Sequence, residues 1–330
     1  MRCALIYNPV AGSNRSKRTE QLRQIGDALV ARGHIVNLVA TTAPGSATRQ
    51  AAEAIAAGAE IIFACGGDGT VHEVLQALVV EGVNPSVCLG ILPLGSANAL
   101  ARHMRLSFDP VTAILQQIEG ESVIVPVGRL DCSSGHRYFA VMAGAGPDGT
   151  LAYEVPGAHK SRFGRLAYYA HAARLFATRR FGPFQIRYRE ASSRDIQTAR
   201  AVSVMGVRVD DLGGLFRGLA LRNASLYDPH LKVQFLAPPA AISLPLWFLS
   251  GWLGLHRLNP FVQCLEVSEI SSYGNDDMHT HVQVDGEWLG RGAMSLSLIP
   301  NALQIRIPFT AELSILTDPG TGSGRRAVIG

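Results

Sequence analysis

The chain has 330 residues, nearly half of them apolar, enough to bury the cores of two domains. With 30 Lys and Arg against 26 Asp and Glu the net charge is +4, too small an excess to argue for nucleic acid and compatible with weak attraction to anionic lipid or nucleotide. Cys3, Cys65, Cys88, Cys132 and Cys264 are scattered without a CxxC pair, and three sit in apolar strand-like runs, a pattern of reduced, structural, intracellular cysteines.

The N-terminus opens on an apolar strand, Cys3-Ala4-Leu5-Ile6-Tyr7, with no basic region followed by an apolar signal core, so the expectation is a cytoplasmic chain. Periodicity predicts strands over 2–7, 34–40, 60–65 and 87–92 and helices over 15–32, 46–57, 69–80 and 96–105. Ser46 is a cap candidate for the second helix, and Gly33 and Gly58 stand just past two helix ends, where a left-handed residue is wanted. The alternation predicts an α/β nucleotide-binding domain with a parallel sheet and helices on both faces. Such sheets bind ligands at the carboxyl ends of their strands. Three ends carry loop chemistry: Asn8-Pro9-Val10-Ala11-Gly12, Gly66-Gly67-Asp68-Gly69-Thr70, and Pro93-Leu94-Gly95-Ser96-Ala97-Asn98.

The middle loop joins the uncharged run Ile61-Ile62-Phe63-Ala64-Cys65 to Val71-His72-Glu73-Val74-Leu75, so a buried strand turns through glycines into a helix. Glycines admit a ligand close to the backbone, and the first amides and the dipole of the helix favour an anion. The expected ligand is a phosphate chain. Asp68 would repel phosphates unless it binds a metal or takes a proton, which points to phosphoryl transfer. A plain strand–turn–helix connection is the alternative.

From about residue 123 short runs of period two predict strands at 123–130, 137–143, 184–189, 200–208, 217–222, 231–236, 263–271, 281–285, 293–299 and 303–308. They read as a mostly antiparallel β-sandwich, interrupted by a helical insert over 164–178 whose Leu166, Tyr169, Ala173 and Phe176 form an apolar stripe. The predicted division is 1–125 for the α/β domain, 126–310 for the β-sandwich domain and 311–330 for a loose tail. The longest stretch without Asp, Glu, Lys or Arg, Val233 to His256, carries Pro238, Pro239 and Pro245. A membrane-spanning helix needs roughly 20 continuous apolar residues, so no span is expected there.

These motifs together resemble the diacylglycerol kinase catalytic-domain family, which includes bacterial lipid kinases, sphingosine kinases and ceramide kinases. The matches run in family order over about 3–308. They are Asn8-Pro9 with Gly12, the Gly66–Thr70 turn with Glu73, Leu92–Asn98, Gly144-Ala145-Gly146-Pro147-Asp148, Gly164–Tyr168, Gly213-Gly214, Ala224-Ser225-Leu226-Tyr227-Asp228 and Val284-Asp285-Gly286-Glu287. The resemblance implies transfer of the γ-phosphoryl group of ATP to a lipid hydroxyl in a cleft between the two domains. It also implies that strands near the C-terminus return towards the first domain, which makes the predicted boundary approximate.

By resemblance Asn8, Gly12 and Thr42 line the nucleotide pocket, and Gly66, Gly67, Gly69 and Thr70 cradle phosphates. Asp68 holds Mg2+ or accepts the substrate proton, and Glu73, Ser96 and Asn98 complete the cofactor side. Ser96 stands where the family often has Thr, and Ala99 replaces a common Asp. Asp285 and Glu287 are candidate general bases with no choice between them, since Asp-Gly is also an ordinary hairpin signal. Asp148 is expected to face the acceptor headgroup. Asp228, with the carbonyls of Ser225 and His230, matches a second, structural metal site, although Pro229 and His230 replace the usual Gly and Leu. His279 and His281 read as bystanders.

A lipid kinase must also reach its acceptor. Leu244, Leu246, Trp247, Phe248, Leu249, Trp252, Leu253 and Leu255, followed by His256 and Arg257, suit a membrane interface, and Arg162, Arg165, Arg174, Arg179 and Arg180 could attract anionic headgroups. The competing functions are an NAD kinase-like enzyme and a non-catalytic lipid- or nucleotide-binding relative. The acceptor and the oligomeric state are left open by the sequence.

Overall fold

The computed structural model describes residues 1–9, 15–155, 170–176, 178–212, 221, 223–253, 255, 258–274 and 280–308. The expected Gly12, Arg162, Arg165, Gly164–Tyr168, Gly213-Gly214, His256, Arg257, His279 and the 311–330 tail lie outside the described residues, as does nearly all of the expected strand 217–222.

The first region is built by alternation. Strands β1 (Arg2–Tyr7), β2 (Ile35–Ala40), β3 (Ile61–Gly66) and β4 (Cys88–Pro93) form a parallel sheet in the order β2-β1-β3-β4. Successive side chains point to opposite faces. Ala4, Ile6, Ile62, Ala64, Leu89 and Ile91 cluster with Ala47 and Ala51 of α2 (Ser46–Ala56) and Val71, Val74 and Leu75 of α3 (Asp68–Leu78). Cys3, Leu5, Ile61, Phe63 and Leu92 cluster instead with Leu22, Ile25 and Leu29 of α1 (Arg15–Val30) and with Ala113 and Ile114 of α5 (Pro110–Ile118). Both faces are therefore dry along β1, β3 and β4, as uncharged strands require, while the edge strand β2 is largely exposed.

Beyond β5 (Glu121–Cys132) the pairing becomes antiparallel. β5 pairs with β6 (Gly135–Phe139), and β7 (Met142–Ala145) lies between β10 (Ser203–Val207) and β13 (His281–Val284). β10 continues through β11 (Leu231–Leu236) to β12 (Val262–Tyr273), which pairs with β8 (Phe184–Glu190) and through it with β9 (Ile196–Ala201). Strand β14 (Glu287–Arg291) closes a hairpin on β13. Leu130, Phe139, Val233, Phe235, Ile270 and Leu296 lie in the core of this half.

The long β15 (Met294–Ile307) joins the halves. It runs antiparallel to β5 and parallel to β4, with Gln304 opposite Cys88 and Ile305 opposite Leu89. Arg306 fixes the junction by donating to the carbonyls of Gln117, Ile118 and Gly120 at the end of α5. The predicted fold class, a parallel α/β region followed by a mostly antiparallel β region, is the one observed.

Details differ for local reasons. The runs 293–299 and 303–308 fuse into β15 across a bulge between Ile299 and Leu303. The run 200–208 divides into the end of β9 and β10, and 137–143 into the end of β6 and the start of β7. Ser46 does not cap α2 as predicted. Gly45 is the cap residue, in the left-handed region, and the Ser46 Oγ accepts the amides of Thr42 and Ala43 instead. Sequence reading missed α5 and α6 (Pro147–Glu154), although Asp109-Pro110 is a helix start, with the Asp109 carboxylate accepting the Thr112 amide.

Candidate active site

Three strands end level. Tyr7 lies opposite Cys65, and Gly66 opposite Pro93, so the loops after β1, β3 and β4 lie side by side. Asn8 donates its amide to Cys65, and Leu94 donates to Gly66 at 2.9 Å. The two glycine loops nearly touch. A Cβ on Gly95 would stand 2.3 Å from the Gly67 Cα, so this approach requires glycine. Asn98, at φ +49°, closes its loop by accepting the Gly95 amide and donating to the Gly95 carbonyl.

Asp68 opens α3 and links the loops. Its Oδ2 accepts the Asn98 amide at 2.9 Å, and its Oδ1 accepts the Ala99 amide at 2.7 Å, at the start of α4 (Ala99–His103). Burial pushes its pKa up against the pull of those amides, and the Asp285 charge adds to the rise. Such a carboxylate is stabilised by a nearby cation. Thr70 is buried against Gly66, where a Cβ would collide with its Oγ1. Thr42 and Ser96 are exposed at the rim. Glu73 turns to α2, accepting the amides of Gly45 at 2.8 Å and Ala47 at 2.9 Å.

The second half reaches this mouth through the β13–β14 hairpin, and the two candidate bases there part company. Asp285, at φ +49°, points inward. Its Oδ1 accepts the amides of Val141 and Met142, both at 3.0 Å, and its Oδ2 lies 3.0 Å from His72 Nδ1. Burial alone would depress the His72 pKa, but the Asp285 hydrogen bond and the charges of Asp285 and Glu287 raise it. The pair clamps the hairpin to α3. Glu287 is exposed and reaches the glycine turn, its Oε1 2.9 Å from where a Cβ on Gly69 would be. One turn further along α3, Gln76 exchanges hydrogen bonds with the backbone of Tyr138. His72 and Gln76 escaped the sequence reading. Their signal was the spacing of Asp68, His72 and Gln76, one polar stripe along an apolar helix.

Asp148 sits in the first turn of α6. Gln283, itself buried, donates to its Oδ2 at 3.0 Å and accepts the Gly286 amide at 2.8 Å, which ties Asp148 to the hairpin turn. Asp148 Oδ1 is buried without a well-formed hydrogen bond. Burial pushes the carboxyl up to about 6, against the pull of Gln283, the amides of residues 148 and 149 and the Ser203 hydroxyl. His281 has a structural contact. It is buried, accepts the Trp288 indole N–H at 3.0 Å and has its pKa lowered to about 4, first by burial and then by Arg291 and Arg179.

Residues 2–130 match the family described as diacylglycerol kinase catalytic domain. A diacylglycerol kinase of Staphylococcus epidermidis is 30% identical over 318 residues, 94% of this chain and 95% of that protein. One from Staphylococcus haemolyticus is 32% identical over 291 residues, 88% of this chain and 83% of its own length. The chain belongs to the diacylglycerol kinase family. A solved diacylglycerol kinase from Bacillus anthracis superposes with a TM-score of 0.69 at 18% identity, covering 93% of this chain and 96% of that one, and shares the fold.

Diacylglycerol kinases are phosphotransferases, and the amide-lined mouth suits a phosphate chain. Among the described residues no group of three or more His, Cys, Asp and Glu could hold a metal by itself. Asp68 nevertheless fits a Mg2+ shared with phosphate oxygens and water, the sparse arrangement that ion favours. The expected second metal site differs. Asp228 Oδ2 accepts the Ser225 amide at 2.8 Å and lies 3.0 Å from Lys232 Nζ, while the Ser225 carbonyl accepts the Asp228 amide. Among the described residues no hydrogen bond of His230 accompanies them.

The expected membrane segment forms α7 (Ala240–Trp252), and among the described residues no helix is long and apolar enough to cross a membrane. The expected interfacial role of Trp247 is corrected. It is 5% exposed and packs with Leu244 in the core, its ring 6.5 Å from that of Phe176. The exposed stripe consists of Ile242, Leu246, Leu249 and Leu253.

Proposed function

We propose that the protein is an ATP-dependent lipid kinase that phosphorylates the hydroxyl of diacylglycerol or a related membrane lipid. The observation that carries this reading is the Glu287 carboxylate standing against Gly69, at the mouth of an amide-lined phosphate turn. The acceptor oxygen attacks the γ-phosphorus, the bond to the β,γ-bridging oxygen breaks, ADP leaves and Glu287 takes the hydroxyl proton. Gly67 and Gly69 offer amides to the phosphates, while the Thr70 amide closes the turn on the Gly67 carbonyl. Asp68 would hold Mg2+, which supplies charge neutralisation on the phosphates. Asp285 is a positioning residue, since its oxygens are committed to His72 and to amides. Asp148, with its under-satisfied Oδ1, would receive the acceptor hydroxyl or glyceride oxygens.

The acceptor lies in a bilayer, and α7 is the surface that meets it. Leu246, Leu249 and Leu253 would enter the headgroup layer beside the exposed Arg174 and Arg180, the latter attracting anionic lipid. The helical residues 170–176 pack against α7 through Phe176, whose ring lies 6.3 Å from that of Phe248. The test is transfer from γ-labelled ATP to diacylglycerol, monoacylglycerol, phosphatidylglycerol, sphingosine or ceramide in anionic vesicles, with NAD as a control. Transfer to a glyceride is expected, and transfer to NAD alone would sink the reading. Leu246→Ser with Leu249→Ser should reduce sedimentation with vesicles and lower the rate several-fold on bilayer lipid, sparing a short-chain soluble analogue. Equal losses on both substrates would show that α7 does not dock.

A further inference from the structure

We propose that Lys232 is the resident cation of the 223–232 loop, standing where the family resemblance implies a structural divalent metal. Lys232 is the second residue of β11. Its neighbours Leu231 and Val233 are buried, and its own stem runs back over the preceding loop. There the ammonium lies 3.0 Å from Asp228 Oδ2, donates to the Asn223 carbonyl, and has Glu266 Oε1 at 3.9 Å from the facing strand. One carboxylate and one backbone carbonyl are the donors that a hard cation would collect in such a loop. Here an ammonium collects them.

A second cation works from below. Arg208 is 1% exposed, and its guanidinium donates to the carbonyls of Asp228 at 3.1 Å, Leu226 at 2.5 Å and Pro126 at 3.1 Å. Burial lowers its pKa to about 10, so it stays charged near neutrality. The loop's oxygens are thus gathered by two side chains of the chain itself. A divalent ion on Asp228 Oδ2 would lie within a few ångströms of the Lys232 ammonium, and like charges at that range repel strongly in a partly buried site. The residues present do not fit the implied metal.

The consequence is a loop whose stability is indifferent to chelators, and this holds whether or not the chain phosphorylates a lipid. The test is the Tm of the nucleotide-free protein in EDTA and in millimolar MgCl2, for wild type, Asp228→Asn, Lys232→Met, Lys232→Arg and the Asp228→Asn/Lys232→Met double variant. Wild type and Asp228→Asn should respond to Mg2+ equally, any shared response belonging to the phosphate turn. In EDTA each of the Asp228→Asn and Lys232→Met changes should lower Tm, and the double variant should lose clearly less than their sum, because both break one contact. Lys232→Arg should retain most of the Tm, a control if Lys232→Met fails to fold. A wild-type rise in Mg2+ that Asp228→Asn abolishes, or additive losses in EDTA, would overturn the proposal.

Discussion

The glycine turn at 66–70 and the loop at 223–232 organise backbone groups in opposite senses. At the turn, Asp68 takes the amides of Asn98 and Ala99 from the neighbouring loop, and the Glu287 carboxylate stands against Gly69 at the mouth. At the 223–232 loop, the carbonyls of Leu226 and Asp228 converge inward on Arg208 and that of Asn223 on Lys232. On the proposed reading the first region serves an anion from outside, whereas the second satisfies its acceptors with its own cations. Both contain an aspartate beside polar backbone, so the residue type alone does not separate a ligand site from a self-contained one. The difference lies in what already occupies each carboxylate.

Breaking the inward-facing region should give the largest effect. Arg208→Met keeps an apolar stem but leaves three carbonyls without their donor in the interior. Removing one partner from a buried charged network costs about 3–5 kcal/mol, far more than a surface ion pair. Chemical denaturation should show that loss. A change under about 1 kcal/mol would mean that water replaces the guanidinium and that the loop is not organised from within.

Breaking the outward-facing region should leave the fold in place and remove turnover. Asp68→Asn is expected to slow transfer by on the order of 10²-fold, about 2.7 kcal/mol of barrier. The hairpin sharpens the point. Glu287→Gln should match that rate loss with a smaller change in Tm than Asp285→Asn causes. Asp285→Asn should lower Tm as well, since it loosens the His72 clamp. His72 has a raised pKa when folded, so the clamp's contribution is fully present below about pH 6.5, the unfolded value, and fades as pH rises through the folded pKa. If Asp285→Asn left Tm intact and Glu287→Gln lowered it, the two roles would have to be exchanged.

Legibility followed the same division. The parallel strands, their helices and the Gly66–Thr70 turn were readable because their patterns are local: uncharged runs of strand length, helical periodicity, glycines at a strand end. The pairing of Asp285 with His72 was not, because 213 residues separate them and the polar stripe of α3 marks a face without naming its partner. Nor could sequence choose between Asp285 and Glu287. That choice rests on the positive φ of Asp285, which turns its carboxylate to the amides of 141 and 142 and leaves Glu287 at the mouth. Trp247 misled for a related reason. Its helix is apolar nearly all round, so composition could not say which side is wet.

Asp148 lies between the two regimes, half satisfied by Gln283 and half open, and its titration tests that intermediate character. Its folded pKa of about 6 is above the ordinary carboxylate value, so the folded state binds the proton more tightly than the unfolded state. The resulting stability is fully present below about pH 3.9 and is lost as pH rises through about 6. Above that, the fold carries a buried charge whose cost has a ceiling of about 3 kcal/mol. Asp148→Asn removes the charge but places a new N–H donor in the same pocket, so about 1 kcal/mol of gain is expected at pH 8 and none at pH 4. Thermal melts across that range would show the two curves diverging between pH 4 and 6 and running parallel above. On the proposed reading the same variant should also lose rate on the lipid acceptor. A pH-independent difference in Tm would mean that the carboxyl is solvated and that its open oxygen is not held ready for a ligand.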